Sequence, residues 1–300
     1  MKLPGAVRPD DVAVASSTAA PIAALNCWVV TLGVQAAVVE AWVMVKLEKP
    51  QALDNLEEIL ALTDAVMVAR GDLGVELPPE EVPLAQKRIV RLSRALGKPV
   101  VVATQMLESM ISAPAPTRAE ASDVATAVFD GADAVMLSGE TAAGQYPYES
   151  VNMMDRIVAR VEQDAGWRAM MDASRAPPEK NAADAIAAAS AQVGHTIGAK
   201  AIVAFTASGS TALRVARERP ESPIIGLTPN QATARQMAVV WGVHALVVPD
   251  VHSMTEAVAR ASRVTLTEGF AEHGEEIVVT AGVPFGQAGT TNALRVATVK

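Results

Sequence analysis

The chain has 300 residues, 50% of them hydrophobic, with a formal charge of −8 and a pI near 5.1. This length and apolar content suit two globular domains, and the acidic balance offers no basic footprint for a nucleic-acid backbone. Aromatic residues make up only 3%, which favours helices packed on buried strands over an aromatic-rich β-sandwich. The single cysteine, Cys27, excludes an internal disulfide and fits a reducing cytoplasm.

An apolar stretch near the N-terminus has about the length that a membrane-spanning helix requires. Residues 24–45 read ALNCWVVTLGVQAAVVEAWVMV. Asn26, Gln35 and Glu40 interrupt this stretch, and its valine-rich runs fit buried strands at least as well. The preceding VRPDDV also differs from the basic region of a secretory signal. We therefore predict a cytoplasmic protein with no membrane partner.

Short apolar runs alternate with amphipathic stretches between residues 41 and 163. The runs are AWVMV (41–45), AVMVA (65–69), PVVVA (99–103) and AVMLS (134–138). Each is apolar without alternation, as in strands of a parallel sheet that is buried on both faces. Helices are predicted after the runs, over 51–61, 80–96, 117–130 and 147–163. The pattern predicts four βα units in series.

Polar and charged residues follow each of the four predicted strands. The clusters are KLEKP (46–50), RGDLG (70–74), TQMLES (104–109) and SGETA (138–142). In parallel barrels and open sheets, the active site forms at the carboxyl ends of the strands. We therefore expect these clusters to lie at one edge and to build the site there.

Lys46, Glu48 and Asp72 are the most informative residues of these clusters. Lys46 and Glu48 lie two positions apart, so their side chains share a face at the end of one strand, and Asp72 follows the next strand. Two carboxylates at such an edge suit a magnesium ion, and a lysine beside them can stabilise phosphoryl or enolate charge. A structural Lys–Glu pair with a helix-capping Asp72 explains the same spacing equally well.

A second α/β region follows residues 165–180, which end in two prolines and charges typical of a linker. Residues 181–300 open with a helical stretch, AADAIAAASAQVGHTIG, and continue with strands separated by helices. The predicted strands are AIVAFT (201–206), PIIGLT (223–228), HALVVP (244–249), EEIVVTAG (275–282) and a last strand, NALRVATV. This region predicts a smaller domain.

One loop of this second region is a candidate anion site. Thr206, Ser208, Gly209, Ser210 and Thr211 lie where a predicted strand turns into a helix. The free backbone N–H groups of a helix start favour a phosphate or another anion. A plain helix N-cap by Ser208 explains the loop equally well.

Three stretches resemble the second half of the catalytic barrel of the pyruvate kinase family. They are KLEKPQALDNLEEIL, MVARGDLGVELP and KPVVVATQMLESMISAPAPTRAEASDVATAVFDGADAVMLSGETAAGQYP. The resemblance implies an α/β fold: a partial (β/α)8 TIM barrel of about four βα units over 41–164, then a smaller α/β domain over 181–300. Residues 1–40 form an N-terminal segment that these three stretches leave unmatched.

The resemblance also implies a reaction, namely phosphoryl transfer from phosphoenolpyruvate to ADP, which gives pyruvate and ATP in glycolysis. Lys46 would be the catalytic lysine that stabilises the phosphoryl-transfer and enolate states. Glu48 and Asp72 would bind Mg²⁺ or Mn²⁺. Thr104 would lie over the methylene carbon of the substrate, where enolpyruvate is protonated to pyruvate.

Further residues receive less specific roles from the same resemblance. Ala69, Arg70 and Gly71 would shape the pyruvate pocket through the backbone around Asp72. The PTRAE stretch (116–120) is similar to the start of the family's subunit-contact helix, where Arg118 and Glu120 could equally be a capping arrangement. The family implies a homo-oligomer, a tetramer.

The TASGST loop (206–211) matches the place where many pyruvate kinases hold a phosphate of a sugar-phosphate activator. The stretch GVPFGQAGTTN (282–292) resembles the second loop of that effector pocket. Together the two loops imply an effector site in the second domain.

The sequence also departs from the family. In pyruvate kinases, four barrel strands, a lid domain and an arginine and asparagine cluster for phosphate and K⁺ precede the KLEKP strand. Only about forty residues precede it in this sequence, and KLPGA (2–6) alone faintly resembles the family there. A K⁺ site is expected for the family but is not found in this sequence. We therefore expect a truncated form, or a misread gene start, with impaired activity.

Two other functions remain open from the sequence. One is a barrel lyase that acts on pyruvate or oxaloacetate through a similar magnesium site. The other is a non-catalytic module that binds an effector or associates with other subunits. The linked second domain with its TASGST loop separates the first alternative from a pyruvate kinase, because such a lyase does not need it.

Overall fold

A computed structural model of the chain describes residues 29–31, 42–285, 287 and 289–300. The chain divides into two compact units, with the boundary between Trp167 and Arg168. In the described ranges, no helix is long and apolar enough to cross a membrane. The unmatched segment 1–40 lies outside the described residues except for 29–31, as does most of the apolar stretch 24–45.

The first unit is built on a five-stranded sheet with the order β1-β2-β3-β4-β5. The strands are β1 (Val29–Thr31), β2 (Val43–Leu47), β3 (Ala65–Ala69), β4 (Val100–Ala103) and β5 (Ala134–Met136). Strands β2 to β5 are parallel neighbours, whereas β1 pairs antiparallel with β2. The parallel series of βα units that the sequence predicts is confirmed. It places the carboxyl ends of β2 to β5 at one edge.

Helices follow the strands of this sheet. They are α1 (Pro50–Asp54), α2 (Leu56–Leu62), α3 (Arg70–Glu76), α4 (Val82–Ala95), α5 (Arg118–Asp130), α6 (Gly139–Ala142) and α7 (Pro147–Glu162). Helix α5 begins with a capping box between Thr117 and Glu120 and ends at Gly131, whose φ of 96° is left-handed. Apolar side chains of these helices, such as Leu60, Ile89 and Val124, are fully buried in the core.

The second unit contains another five-stranded sheet, with the order β10-β9-β6-β7-β8. Its strands are β6 (Ile202–Phe205), β7 (Ile224–Thr228), β8 (Val243–Val247), β9 (Glu276–Gly282) and β10 (Thr291–Thr298). Strands β9, β6, β7 and β8 are parallel, and the last strand, β10, is antiparallel to β9. The predicted smaller α/β domain is therefore confirmed.

The second unit also contains helices α9 (Ala182–Ile197), α10 (Ser210–Arg217), α11 (Gln231–Gln236) and α12 (Met254–Thr267). Side chains of Asn181, Asn230 and Ser253 cap α9, α11 and α12 by accepting backbone N–H bonds. Helix α9 ends at Gly198 in the left-handed conformation. These local signals explain where the helices begin and end.

Two elements differ from the sequence-based expectation. The RGDLG cluster, for which the sequence predicts no helix, forms helix α3, because the chain turns from β3 directly into this helix at Arg70. Residues 165–180, which we predict as a linker, contain helix α8 (Ala165–Ala173). Trp167 and Met171 of α8 are one turn apart and buried, which accounts for helix in this stretch.

Candidate active site

The candidate site lies at the carboxyl ends of β2, β3, β4 and β5. Lys46 is the fourth residue of β2, and Glu48 follows its end. Asp72 lies in the first turn of α3, directly after β3, and Thr104 follows β4. The parallel register, with Lys46 opposite Met67 and Ala69 opposite Ala103, brings these positions to the same edge.

Lys46 holds the two predicted metal-binding carboxylates together. Its ammonium lies 2.6 Å from Glu48 Oε2 and 2.7 Å from Asp72 Oδ2. The Glu48 side chain is only 9% exposed, whereas that of Asp72 is 50% exposed. The cluster therefore has one buried carboxylate, one that faces solvent, and a lysine between them.

The two carboxylates determine the protonation of Lys46. Burial lowers the pKa of the Lys46 ammonium, but hydrogen bonds to Asp72 and Glu48 outweigh burial, and the pKa is raised above its ordinary value. Lys46 is therefore a permanent cation at neutral pH. It is suited to stabilising negative charge and unsuited to acting as a general base.

The donor set of this cluster can be compared with the needs of a divalent cation. Glu48 and Asp72 each direct one oxygen at the Lys46 ammonium, so the two carboxylates already face one positive charge. Among the described residues, no three or more His, Cys, Asp or Glu side chains form a metal-binding group. Mg²⁺ usually takes one or two carboxylates and completes its shell with water and substrate oxygens. The pair fits that open kind of site.

Thr104 occupies an uncommon backbone conformation at the end of β4. Its φ is 70° and that of Gln105 is 53°, values that β-branched and bulky residues rarely adopt. The Thr104 hydroxyl accepts a hydrogen bond from the Gly71 backbone nitrogen at 2.7 Å and donates one to Ala103 O at 2.6 Å. Gly71 and Asp72 are neighbours, so this contact joins Thr104 to the carboxylate cluster.

Gly71 leaves room for the close approach of Thr104. A Cβ atom at Gly71 would lie 3.3 Å from Thr104 Oγ1 and 3.5 Å from Thr104 Cβ. The first separation is tighter than ordinary van der Waals contact, so a side chain here would displace Thr104. Ala69, two positions before Gly71, is fully buried at the end of β3 and supplies no exposed side chain.

Arg70 is only 8% exposed, and its side chain contacts the loop after β4. Its guanidinium donates to Thr104 O at 2.8 Å and to Gln105 O at 3.1 Å, and it lies 2.6 Å from Asp123 Oδ2. Arg70 therefore shapes the site through the loop after β4. Asp123 lies on α5, more than fifty positions after Arg70. Sequence spacing does not indicate a contact over such a separation, so the sequence analysis assigned Asp123 no role.

Glu140, in the SGETA cluster, makes contacts that the sequence did not predict. Its buried carboxylate accepts hydrogen bonds from Leu107 N at 3.1 Å and Ser138 N at 2.8 Å. It thereby joins the end of β5 to the loop after β4. In the PTRAE stretch, Glu120 completes the capping box and also accepts bonds from Ser109, which indicates a structural role.

The loop at 206–211 borders an open recess in the second unit. Thr206, Ser210 and Thr211 line this recess together with Thr290 and Thr291 of the second predicted loop. The Thr206 hydroxyl oxygen is buried and, among the described residues, has no hydrogen-bond partner. Thr211 Oγ1 lies 2.7 Å from Thr291 Oγ1 and so joins the two loops.

Ser208 does not cap helix α10, so this alternative is wrong. The N-cap residue is Gly209, with a φ of 86°, and no side chain provides a capping hydrogen bond. The exposed Ser208 hydroxyl instead lies 3.3 Å from Ser210 Oγ. A glycine replaces the usual capping side chain because only glycine adopts this left-handed backbone without strain.

Both units of the chain are similar to domains of known proteins. A family model described as "Pyruvate kinase, barrel domain" matches residues 30–151, and one described as "Pyruvate kinase, alpha/beta domain" matches residues 184–297. A crystal structure of a pyruvate kinase from Cryptosporidium parvum has a TM-score of 0.80 and 36% identity. This match covers 86% of this chain and 51% of that one.

Curated relatives named pyruvate kinase are similar over the same range. The protein from Methylorubrum extorquens is 54% identical over 259 residues, which is 86% of this chain and 54% of the relative. The protein from Geobacillus stearothermophilus is 47% identical over 254 residues, which is 85% of this chain and 43% of the relative. The chain thus spans about half the length of the relatives it matches. With both family models matched across its two units, the chain belongs to the pyruvate kinase family.

Proposed function

We propose that this chain carries the lysine, metal-binding carboxylates and threonine of a pyruvate kinase. The reaction is phosphoryl transfer from phosphoenolpyruvate to ADP, giving pyruvate and ATP in cytoplasmic glycolysis. The observation that carries the proposal is the contact of Lys46 with both Glu48 and Asp72 at the edge where Thr104 also lies. The proposal includes assembly as a homo-oligomer and, for the chain as written, impaired phosphoryl transfer.

Lys46 supplies positive charge to the reaction. Its pKa is raised because the hydrogen bonds to Asp72 and Glu48 outweigh burial, so it remains protonated at neutral pH. A fixed cation stabilises the enolate oxygen of pyruvate and the oxygens of a moving phosphoryl group. A Mg²⁺ ion held by Glu48 and Asp72 would add a second positive charge and orient the substrate oxygens.

Thr104 supplies a hydroxyl that can approach the carbon that gains a proton. In the structure this hydroxyl accepts from Gly71 N and donates to Ala103 O. Rotation of the O–H bond away from Ala103 would free its hydrogen without moving the oxygen. The Gly71 N–H would continue to hold the oxygen in position during that rotation.

Lys46→Met tests these roles in two assays on the 300-residue protein. We expect wild-type protein with Mg²⁺ to exchange the methyl protons of pyruvate with solvent deuterium, and to phosphorylate ADP more slowly than it enolises. Lys46→Met should abolish both reactions. Lys87→Met is a matched control, since Lys87 pairs with Asp130 away from the cluster. Absence of both reactions in wild-type protein, or retention of both in Lys46→Met, would contradict the proposal.

A sugar-phosphate effector site in the second unit is the second part of the proposal. The buried Thr206 oxygen without a hydrogen-bond partner favours it, because such an atom on a recess suits a ligand hydroxyl or phosphate. We expect Thr206→Val to weaken the binding of a hexose bisphosphate in calorimetry, whereas Thr196→Val, at an exposed position of α9, should leave it unchanged. Equal heats of binding for both variants would rule out Thr206 as a contact.

This binding experiment also addresses the non-catalytic alternative. Binding of the sugar phosphate without any Lys46-dependent reaction would support a module that only binds an effector or other subunits. The barrel-lyase alternative is disfavoured, because the family's α/β domain is matched by residues 184–297.

A further inference from the structure

The backbone of the turn after β4 has an uncommon conformation, which residues outside the turn must stabilise. Thr104 and Gln105 both have left-handed φ values, 70° and 53°, and neither is a glycine. Two consecutive residues of this kind persist only where surrounding groups hold the backbone in place. The contact of Gly71 N with the Thr104 hydroxyl holds the side chain, but it does not hold the two carbonyl groups.

Arg70 holds those carbonyl groups. Nη2 of its guanidinium lies 2.8 Å from Thr104 O, 3.1 Å from Gln105 O and 3.0 Å from Met106 Sδ. Both residues with left-handed φ therefore direct their carbonyl oxygens at one nitrogen of one buried side chain. A planar guanidinium fixes the direction of these bonds in a way that a lysine ammonium does not.

Asp123 holds the other side of the guanidinium. Its Oδ2 lies 2.6 Å from Arg70 Nη1, and Asp123 reaches this position from helix α5. The carboxylate offsets the charge of an arginine that is 8% exposed, and it fixes the rotation of the guanidinium plane. The order of contacts is thus Asp123, Arg70, the carbonyls of the turn, and the hydroxyl of Thr104.

We propose that Asp123 and Arg70 are positioning residues that hold Thr104 in its reactive place. This inference rests on the proposed function for the role of Thr104, but not for the geometry of the turn. Neither side chain needs to touch the substrate. Loss of the pair should lower the rate of proton exchange while leaving the affinity for pyruvate nearly unchanged, because the Lys46 cluster remains in place.

The competing explanation is that the Arg70–Asp123 pair only attaches α5 to the sheet. Under that explanation, its loss would lower stability without moving Thr104. Helix α5 contains a matched control in Asp130, which pairs with Lys87 and accepts a bond from Gln86 at 2.9 Å, away from the turn. Asp123→Asn and Asp130→Asn make the same chemical change on the same helix.

The first readout is the methyl resonance of Thr104 in threonine-labelled protein, assigned with Thr104→Ser. We expect Asp123→Asn to shift or broaden this resonance, Asp123→Glu to restore much of its position, and Asp130→Asn to leave it unchanged. An unmoved resonance in folded Asp123→Asn would overturn the proposal. If Asp123→Asn does not fold, Arg70→Lys decides, because it keeps the charge and loses the planar donors.

The second readout is deuterium exchange into pyruvate. Asp123→Asn should lower kcat by up to about 100-fold, the typical effect of a small misplacement of a reacting group. The KM for pyruvate should stay within about twofold, which separates positioning from binding. An equal loss in Asp130→Asn would overturn the proposal. If wild-type protein shows no exchange, the proposed function fails, and the methyl resonance alone decides whether Asp123 positions Thr104.

Discussion

The backbone nitrogen of Gly71 donates a 2.7 Å hydrogen bond to the hydroxyl of Thr104, which lies 33 positions further along the chain. This contact joins the start of α3 to the end of β4. It ties the residue beside Asp72 to the threonine that we place over the substrate. The predictions below follow from this contact and from the buried charges around it.

Gly71→Ala should impair the site without preventing folding. The added Cβ would lie 3.3 Å from Thr104 Oγ1, so the threonine must move. We expect proton exchange into pyruvate to fall about tenfold or more, since small displacements of reacting groups have such effects. The measurement is the exchange rate together with the thermal midpoint.

Gly74→Ala is the control for that substitution. It lies in the same helix, and its added Cβ would meet only Val82 Cγ2 at an ordinary 3.9 Å. We expect it to raise the free energy of unfolding by about 0.5–1 kcal/mol, as alanine is the better helix former. Equal exchange rates for the two variants would show that Thr104 does not depend on the space left by Gly71.

Asp72→Asn should lower the pKa of Lys46. Burial lowers this pKa, and the carboxylates of Asp72 and Glu48 raise it. Without the charge of Asp72, the lowering effect of burial is opposed by Glu48 alone. A pH titration of the lysine side-chain resonances measures the effect. Glu76→Gln is the matched control, because Glu76 pairs with Lys49 and raises the pKa of Lys49, so this substitution should lower the pKa of Lys49 instead. An unchanged Lys46 pKa in Asp72→Asn would contradict the contact between Lys46 and Asp72.

The same raised pKa predicts how stability depends on alkaline pH. A lysine pKa that is higher in the folded state contributes stability fully below the ordinary value of about 10.4. The contribution is lost as the pH rises through the higher folded value. We expect the difference in thermal midpoint between wild-type protein and Lys46→Met to shrink above that pH. A difference in thermal midpoint that grows with pH would contradict a stabilising role of the raised Lys46 pKa.

Asp184→Asn should destabilise the second unit. Burial raises the pKa of Asp184, but bonds from Glu179 N, Arg217 and Arg214 outweigh it and lower the pKa below its ordinary value. The stability from Asp184 is therefore present above its ordinary pKa and is lost as the pH falls through the lowered value. Breaking this buried pair should cost about 3 kcal/mol in chemical denaturation at neutral pH.

Glu218→Gln should not destabilise the second unit, although Glu218 is as buried as Asp184. Burial is the main reason that the pKa of Glu218 is raised, and its nearest cations, Arg217 and Arg175, lie 3.5 and 3.7 Å away. Neither carboxylate oxygen has a hydrogen-bond partner among the described residues. A neutral amide avoids the cost of burying a charge, so it should leave the free energy of unfolding unchanged or raise it. A loss as large as that of Asp184→Asn would contradict this.

The sequence alone predicted those parts of the site that depend on local sequence pattern. The apolar runs predicted the parallel strands, and Lys46, Glu48 and Asp72 lie together because parallel strands bring their carboxyl ends to one edge. The Arg70–Asp123 pair could not be predicted, because it depends on how α5 packs. The left-handed backbone of Thr104 is also one that threonine rarely adopts, so tertiary contacts, and not the local sequence, determine this conformation.

Deuterium exchange into the methyl group of pyruvate tests the central claim most directly, because it depends on the residues that the structure brings together. The assay compares the 300-residue protein with its Lys46→Met variant in the presence of Mg²⁺. We predict exchange by the wild-type protein that depends on Mg²⁺ and is lost in Lys46→Met. Exchange of equal rate in both proteins would contradict the role of Lys46, and with it the assignment of the site.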